Sequence, residues 1–121
     1  MHVKRVAMAL DVGMVVNPDG MRQQAEGSVI MGLGYSLAEE VRFRNGEVLD
    51  RNFDTYRLPR FSWLPKIDIA FVNDPQAQSL GGGEPPIISM GGALANAIFD
   101  AVGARMLQLP MTPERMKAAM A

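Results

Sequence analysis

Residues 17–40 read NPDGMRQQAEGSVIMGLGYSLAEE, and the reading of this stretch decides the fold. Val15 to Gly20 has turn chemistry: Asn17 before Pro18 is biased to extended geometry, and Asp19-Gly20 favours a tight bend. From Pro18 or Met21 to Glu40 the pattern is helical, with Ala25, Val29, Gly32 or Leu33, Ser36 and Leu37 on one face. Gly27, Gly32 and Gly34 each cost roughly 1 kcal/mol relative to alanine inside a helix. A helix that tolerates three such residues does so because something approaches its backbone closely. That something is a neighbouring helix or a ligand.

On the N-terminal side, Val3 to Asp11 nearly alternates apolar and polar residues and ends at Gly13, which predicts a strand. On the C-terminal side, Val41–Arg44, Asn45-Gly46 and Glu47–Leu49 predict a hairpin, because Asn-Gly suits a type I′ turn. Asn52 to Leu58 reads as another extended stretch closed by Pro59. Lys66 to Val72 alternates as a half-buried strand. A polar loop from Asn73 to Gly83 ends in three glycines. After Glu84-Pro85-Pro86 comes a helix over Ile87–Val102, whose narrow polar stripe of Ser89, Gly92, Asn96 and Asp100 predicts burial on most sides. Gly103 suits its C-cap. Thr112-Pro113-Glu114 opens a short last helix. The expected fold class is α+β. It has a mostly antiparallel sheet packed by a long glycine-containing helix and a second buried helix, in a single domain over residues 1–121.

Composition removes several functions. Lys and Arg number 12 against 13 Asp and Glu, a net charge of −1, and no basic stripe offers itself to nucleic acid. There is no cysteine, which excludes disulfides, cysteine-ligated zinc, iron–sulfur ligation by this chain and a thiol nucleophile. The only histidine is His2, beside the N-terminus, so a histidine-based triad is not expected. A metal held here needs oxygen ligands or a cofactor that brings its own. The longest uncharged stretch, Pro85 to Phe99, is short and glycine-rich for a bilayer span, and no signal-peptide pattern opens the chain. The expectation is therefore a cytoplasmic protein with no membrane contact. Ten methionines fit either plain core filling or packing against a surface that lies outside this sequence.

Chemistry has two places to sit. In Gly81-Gly82-Gly83-Glu84-Pro85-Pro86 the glycines permit close backbone approach, and the prolines are expected to hold Glu84 extended before a helix. One carboxylate of restricted mobility results, which suits a general base; a helix-capping role fits the same residues. A phosphate cradle fits poorly, because no Lys-Ser or Lys-Thr follows and Glu84 repels anions. The second place is Asn17-Pro18 with Gln24 and Glu26-Gly27. The Gln24 amide can both donate to and accept from a heterocycle edge, or simply be solvated.

Together, the segments at 11–40 (DVGMVVNPDGMRQQAEGSVIMGLGYSLAEE), 45–46 (NG), 52–60 (NFDTYRLPR), 81–86 (GGGEPP) and 93–103 (ALANAIFDAVG) form a longer pattern. It resembles the C-terminal part of the molybdopterin-binding large subunit of the xanthine dehydrogenase and aldehyde oxidase family, and most of all the isoquinoline 1-oxidoreductase type. The resemblance runs from about Val6 to Pro110. It implies that Glu84 is the catalytic base beside molybdenum, that Gln24 contacts the pterin, and that Gly82 and Gly83 belong to the cofactor-binding loop. It also implies hydroxylation of an aldehyde or N-heterocycle with oxygen from water, and electrons leaving through an iron–sulfur subunit.

Two positions depart from the pattern. Val12 stands where cysteine is common, outside the loop that carries the base. Gly82 stands where a bulkier residue is common, which predicts a looser loop. Members of the family are also several times longer. This chain is therefore expected to supply two walls of a cofactor site, to be inactive and cofactor-free alone, and to need the remainder of the molybdenum subunit. The alternative is a non-catalytic remnant or interaction module that folds and self-associates.

Overall fold

The computed structural model describes residues 1–72 and 74–120. Asn73 and Ala121, which the loop and domain expectations include, lie outside the described residues. The order is β1 (Arg5–Asp11), α1 (Pro18–Leu37), β2 (Phe43–Arg44), β3 (Glu47–Val48), a 3₁₀ turn (Phe61–Trp63), β4 (Lys66–Val72), α2 (Pro85–Ile88), α3 (Met90–Val102) and α4 (Pro113–Ala119).

Helix and strand mix as an α+β reading requires, but the sheet is not mostly antiparallel. β1 and β4 pair in parallel, from Arg5 opposite Lys66 to Asp11 opposite Val72. Among the described residues only β2 and β3 pair antiparallel. Alternation along a strand says which face is buried and nothing about direction. A parallel pair needs a crossover, and α1 lies in the chain between the two strands.

One face of the β1–β4 pair carries Met8, Leu10, Ile67, Ile69 and Phe71, packed around Ala25 and Met21 of α1. Arg22 clamps the same contact, donating from Nη1 to the Ile69 carbonyl at 3.1 Å with its guanidinium 5.7 Å from the Phe71 ring centre. On the opposite face Arg5, Ala7, Ala9, Lys66 and Ala70 are exposed. There the Arg5 guanidinium, 2.7 Å from Asp68, holds that carboxyl below its ordinary range.

The larger core joins Val29 and Leu33 of α1 to Met90, Leu94 and Ile98 of α3, closed by Met106 and Met111. Each such side chain contributes about 1.5–3 kcal/mol when fully buried. The methionines divide between the two environments. Met90, Met106 and Met111 fill the core, whereas Met1, Met14, Met31 and Met120 are exposed.

Three further expectations change. α3 is buried only along the i, i+4, i+8 stripe of Met90, Leu94 and Ile98, and Phe99 and Val102 stay 44% and 43% exposed. α1 is the helix that covers it, and one helix hides one stripe. The apolar run also extends past the uncharged stretch to Val102; by length and composition it could cross a bilayer, with 22% of it buried. Asn52 to Tyr56, within the stretch read as extended, forms a turn, because the Asn52 carbonyl accepts the amides of Thr55 and Tyr56.

Local rules hold elsewhere. Asn45 and Gly46 have φ of 51° and 83°, as a type I′ turn demands. Arg42 forks onto Asp50, with Nη2 donating to Oδ1 at 2.6 Å, and the Asp50 carboxyl is lowered to about 2 by these hydrogen bonds. Gly103 caps α3 at φ 73°, and Thr112 accepts the Arg115 amide at the start of α4.

Candidate functional site

Asn17 opens α1. Its Oδ1 accepts the Gly20 amide at 3.0 Å, and Pro18 occupies the first turn, where its missing N–H costs nothing. This fixes the direction of the helix from its first residue. Gln24, Ser28, Gly32 and Tyr35 then fall along one edge of it, at intervals of four, four and three residues.

That edge meets the glycine loop. Gln24 donates from Nε2 to the Gly83 carbonyl at 2.7 Å, across 59 positions of sequence. The buried Ser28 hydroxyl lies 3.5 Å from the same oxygen. Gly32 admits Met90, since an added Cβ would stand 2.5 Å from its Cγ. Here the neighbouring-helix explanation of a helical glycine is the right one. Gly27 differs, because a Cβ there meets nothing within 4 Å.

A cleft of about 330 Å³ opens beside these contacts. Asn17, Gln24, Gly82 and Gly83, all singled out in the sequence, line it together with Val12 and Met21. The Leu80 amide donates to the Val12 carbonyl at 2.9 Å, which ties the end of β1 to the loop. Val12 is thus part of the cleft wall, although it lies outside the loop in sequence. A Cβ on Gly82 would stand 2.5 Å from Met21 Sδ, so a larger residue must displace the end of Met21.

Glu84 sits immediately beyond the cleft lining. Its backbone is helical, at φ −97° and ψ −28°, and not extended as the following proline predicts. The reason is that Glu84 already caps α2: its carbonyl accepts the Ile87 amide at 2.9 Å. Its side chain makes no capping hydrogen bond, and the residue is exposed, whereas Pro86 is fully buried. The residue therefore stands exposed on an anchored turn.

Among the described residues no three His, Cys, Asp or Glu side chains group as metal ligands. A second cavity, of about 270 Å³, lies at the other end of α1 between Leu37, Trp63 and Met111, and none of the residues singled out for chemistry lines it. Asp50, the carboxyl lowered to about 2, lines neither cavity. Sequence reasoning missed Met21, Ser28 and Tyr35. The available signal was their spacing from Gln24 along one helix edge.

Comparison with known proteins identifies the family. The family of the molybdopterin cofactor-binding domain matches residues 1–65. A nicotinate dehydrogenase subunit from Pseudomonas putida is 39% identical over 98% of this chain, which covers 10% of that protein. The beta subunit of isoquinoline 1-oxidoreductase from Brevundimonas diminuta is 37% identical over 93% of this chain and 14% of its own length. The crystal structure of the aldehyde oxidoreductase from Desulfovibrio desulfuricans superimposes with a TM-score of 0.87 at 26% identity, over 99% of this chain and 14% of that one. The chain spans roughly a tenth to a seventh of these proteins' lengths. With that family match and these relatives, the chain belongs to the molybdopterin cofactor-binding domain family, whose relatives here are molybdenum-binding subunits of the xanthine dehydrogenase and aldehyde oxidase group.

Proposed function

We propose that this chain is the C-terminal portion of the molybdenum-binding subunit of a hydroxylase acting on an aldehyde or N-heterocycle, with Glu84 as base and Gln24 as a cofactor contact. The observation that carries the reading is the 2.7 Å hydrogen bond from Gln24 to Gly83, which joins the two motifs into one wall. The residues fit a flat heterocycle. Gly83, in the cleft wall, leaves open space where a side chain would stand, and the Gln24 amide carries an acceptor oxygen beside its bonded nitrogen. When bound, the molybdenum cofactor supplies the oxidising centre. This chain's residues orient it and move a proton. Glu84, on a turn held by Pro86 and Gln24, takes that proton on a carboxylate oxygen as water-derived oxygen adds to the substrate carbon.

The remainder of the molybdenum subunit and an iron–sulfur subunit are the partners in this reading. Two features support the first. The β1–β4 pair is two-stranded and parallel, an arrangement usually buried within a larger sheet. Three large apolar side chains on this side of the chain, Ile88, Phe99 and Val102, are 77%, 44% and 43% exposed. The isolated chain is expected to bind no cofactor and to be inactive. In the assembled enzyme Glu84→Gln is expected to cut turnover about 10²–10⁴-fold, with molybdenum content and assembly unchanged. Full turnover in that variant would remove Glu84 from the role of base.

The same exposed apolar surface favours a second reading, a non-catalytic module that self-associates. Affinity purification of the tagged chain from its host separates the two. Stoichiometric molybdenum with larger subunits supports the hydroxylase; a metal-free homo-oligomer supports the module.

A further inference from the structure

We propose that Tyr35 is a positioning residue for Glu84, acting through a hydroxyl inserted in the helical ladder between α2 and α3; the proposal rests on Glu84 being the base. In a continuous helix the Gly91 amide would donate to the Ile87 carbonyl, four residues back. Here it donates to the Tyr35 hydroxyl at 3.2 Å, and that hydroxyl donates to the Ile87 carbonyl at 3.1 Å. The helix is split at this rung: α2 ends at Ile88, Ser89 is its cap, and α3 begins at Met90. A side chain inserted between an amide and its i−4 carbonyl is one of the few physical causes of a sharp helix break. A Cβ at position 91 would meet the tyrosine hydroxyl at 3.5 Å, an ordinary contact, so the wedge lies directly against Gly91 without depending on it being glycine.

The break matters because of what precedes it. α2 is a single turn of four residues, too short to hold its own shape. Ile87 is held on both sides, its amide by the Glu84 carbonyl and its carbonyl by the Tyr35 hydroxyl and the Ser89 amide. On the other side of Glu84, Gly83 is held by Gln24. α1 thus grips the base from both sides. Without the hydroxyl, the Gly91 amide is free to close directly on Ile87. α2 and α3 then merge into one helix, and the end that carries Glu84 swings with it.

Tyr35→Phe removes only the wedge. In the full chain, NMR is expected to show a direct Gly91–Ile87 hydrogen bond and a changed α2 orientation relative to α3, with the Leu94 to Ile98 amides unaltered. In the assembled enzyme kcat is expected to fall about tenfold at nearly constant KM, as befits a base held out of line. Adding Gly91→Pro removes the amide that would close the rung, at an early helical position that tolerates proline. The double variant is therefore expected to recover the split and most of kcat. An unchanged α2 orientation in Tyr35→Phe, or a straightened helix with unchanged kcat, overturns the proposal. So does a double variant that recovers the split but not kcat. If instead Glu84→Gln leaves turnover intact while Tyr35→Phe still merges the helices, the base assignment has failed and the wedge has not.

Discussion

The hairpin at 42–50 and the loop at 81–84 are both glycine-containing turns, yet they are held in opposite ways. Asn45-Gly46 supplies the two positive φ angles, and the Arg42–Asp50 fork closes the hairpin eight positions apart. Phe43 is 75% exposed, so the hairpin leans on no core. The loop is shaped by residues far away in sequence: Gln24 on Gly83, Met21 against Gly82, and Val12 on Leu80. A turn that builds itself is written in its own residues. A turn that must present a side chain is written on the helix behind it.

Three substitutions sharpen this contrast. The largest effect is expected at Gly32, where the edge of α1 meets Met90. Gly32→Val forces a branched side chain against a buried neighbour, an overpacking cost of about 1–3 kcal/mol. Thermal unfolding of the chain should shift down by about 5–10 °C; an unchanged midpoint would mean that the α1–α3 contact is loose. Gly27→Ala should act in the opposite sense, raising stability by about 0.5–1 kcal/mol through helix propensity, because nothing stands where its Cβ would go. A loss of stability there would show that α1 is crowded on that side as well.

The smallest effect is confined to the hairpin. The Asp50 carboxyl is lowered to about 2, so its fork contributes fully above the ordinary carboxylate range and is lost as pH falls through about 2. Exchange protection of the Leu49 amide, which donates to the Arg42 carbonyl at 2.8 Å, should follow that loss. Asp50→Asn should remove it at neutral pH and leave the Gln24–Gly83 contact untouched. Parallel loss at the glycine loop would break the distinction between the two turns.

What the sequence disclosed follows the same division. β4 is legible to the residue, and the Asn17 turn, the Asn45-Gly46 hairpin and the Gly103 and Thr112 caps follow from neighbours within four positions. The direction of β1 against β4 was not legible, because no local residue records which way a distant strand runs. Nor was the helical backbone of Glu84, where capping of α2 outweighs the restriction that Pro85 imposes. The break at Ser89 was hidden for a similar reason. The hydroxyl that sits in the gap comes from Tyr35 on another helix, and Ser89 with Gly91-Gly92 marks only a place where a helix can break. The site motifs themselves were legible as types; the cleft that unites Asn17, Gln24, Gly82 and Gly83 is a tertiary fact.

The parallel pairing of β1 with β4 has a consequence for how the chain reaches this state. Arg5 and Asp68, the pair at its outer face, are 63 positions apart. The intervening loop must close before any rung of the ladder rewards it, and closures of this kind make folding slow. Until then two apolar strands wait with unpaired backbones, ready to pair with another chain instead. Refolding yield should therefore fall as concentration rises, and the hairpin should form long before the strands that flank it.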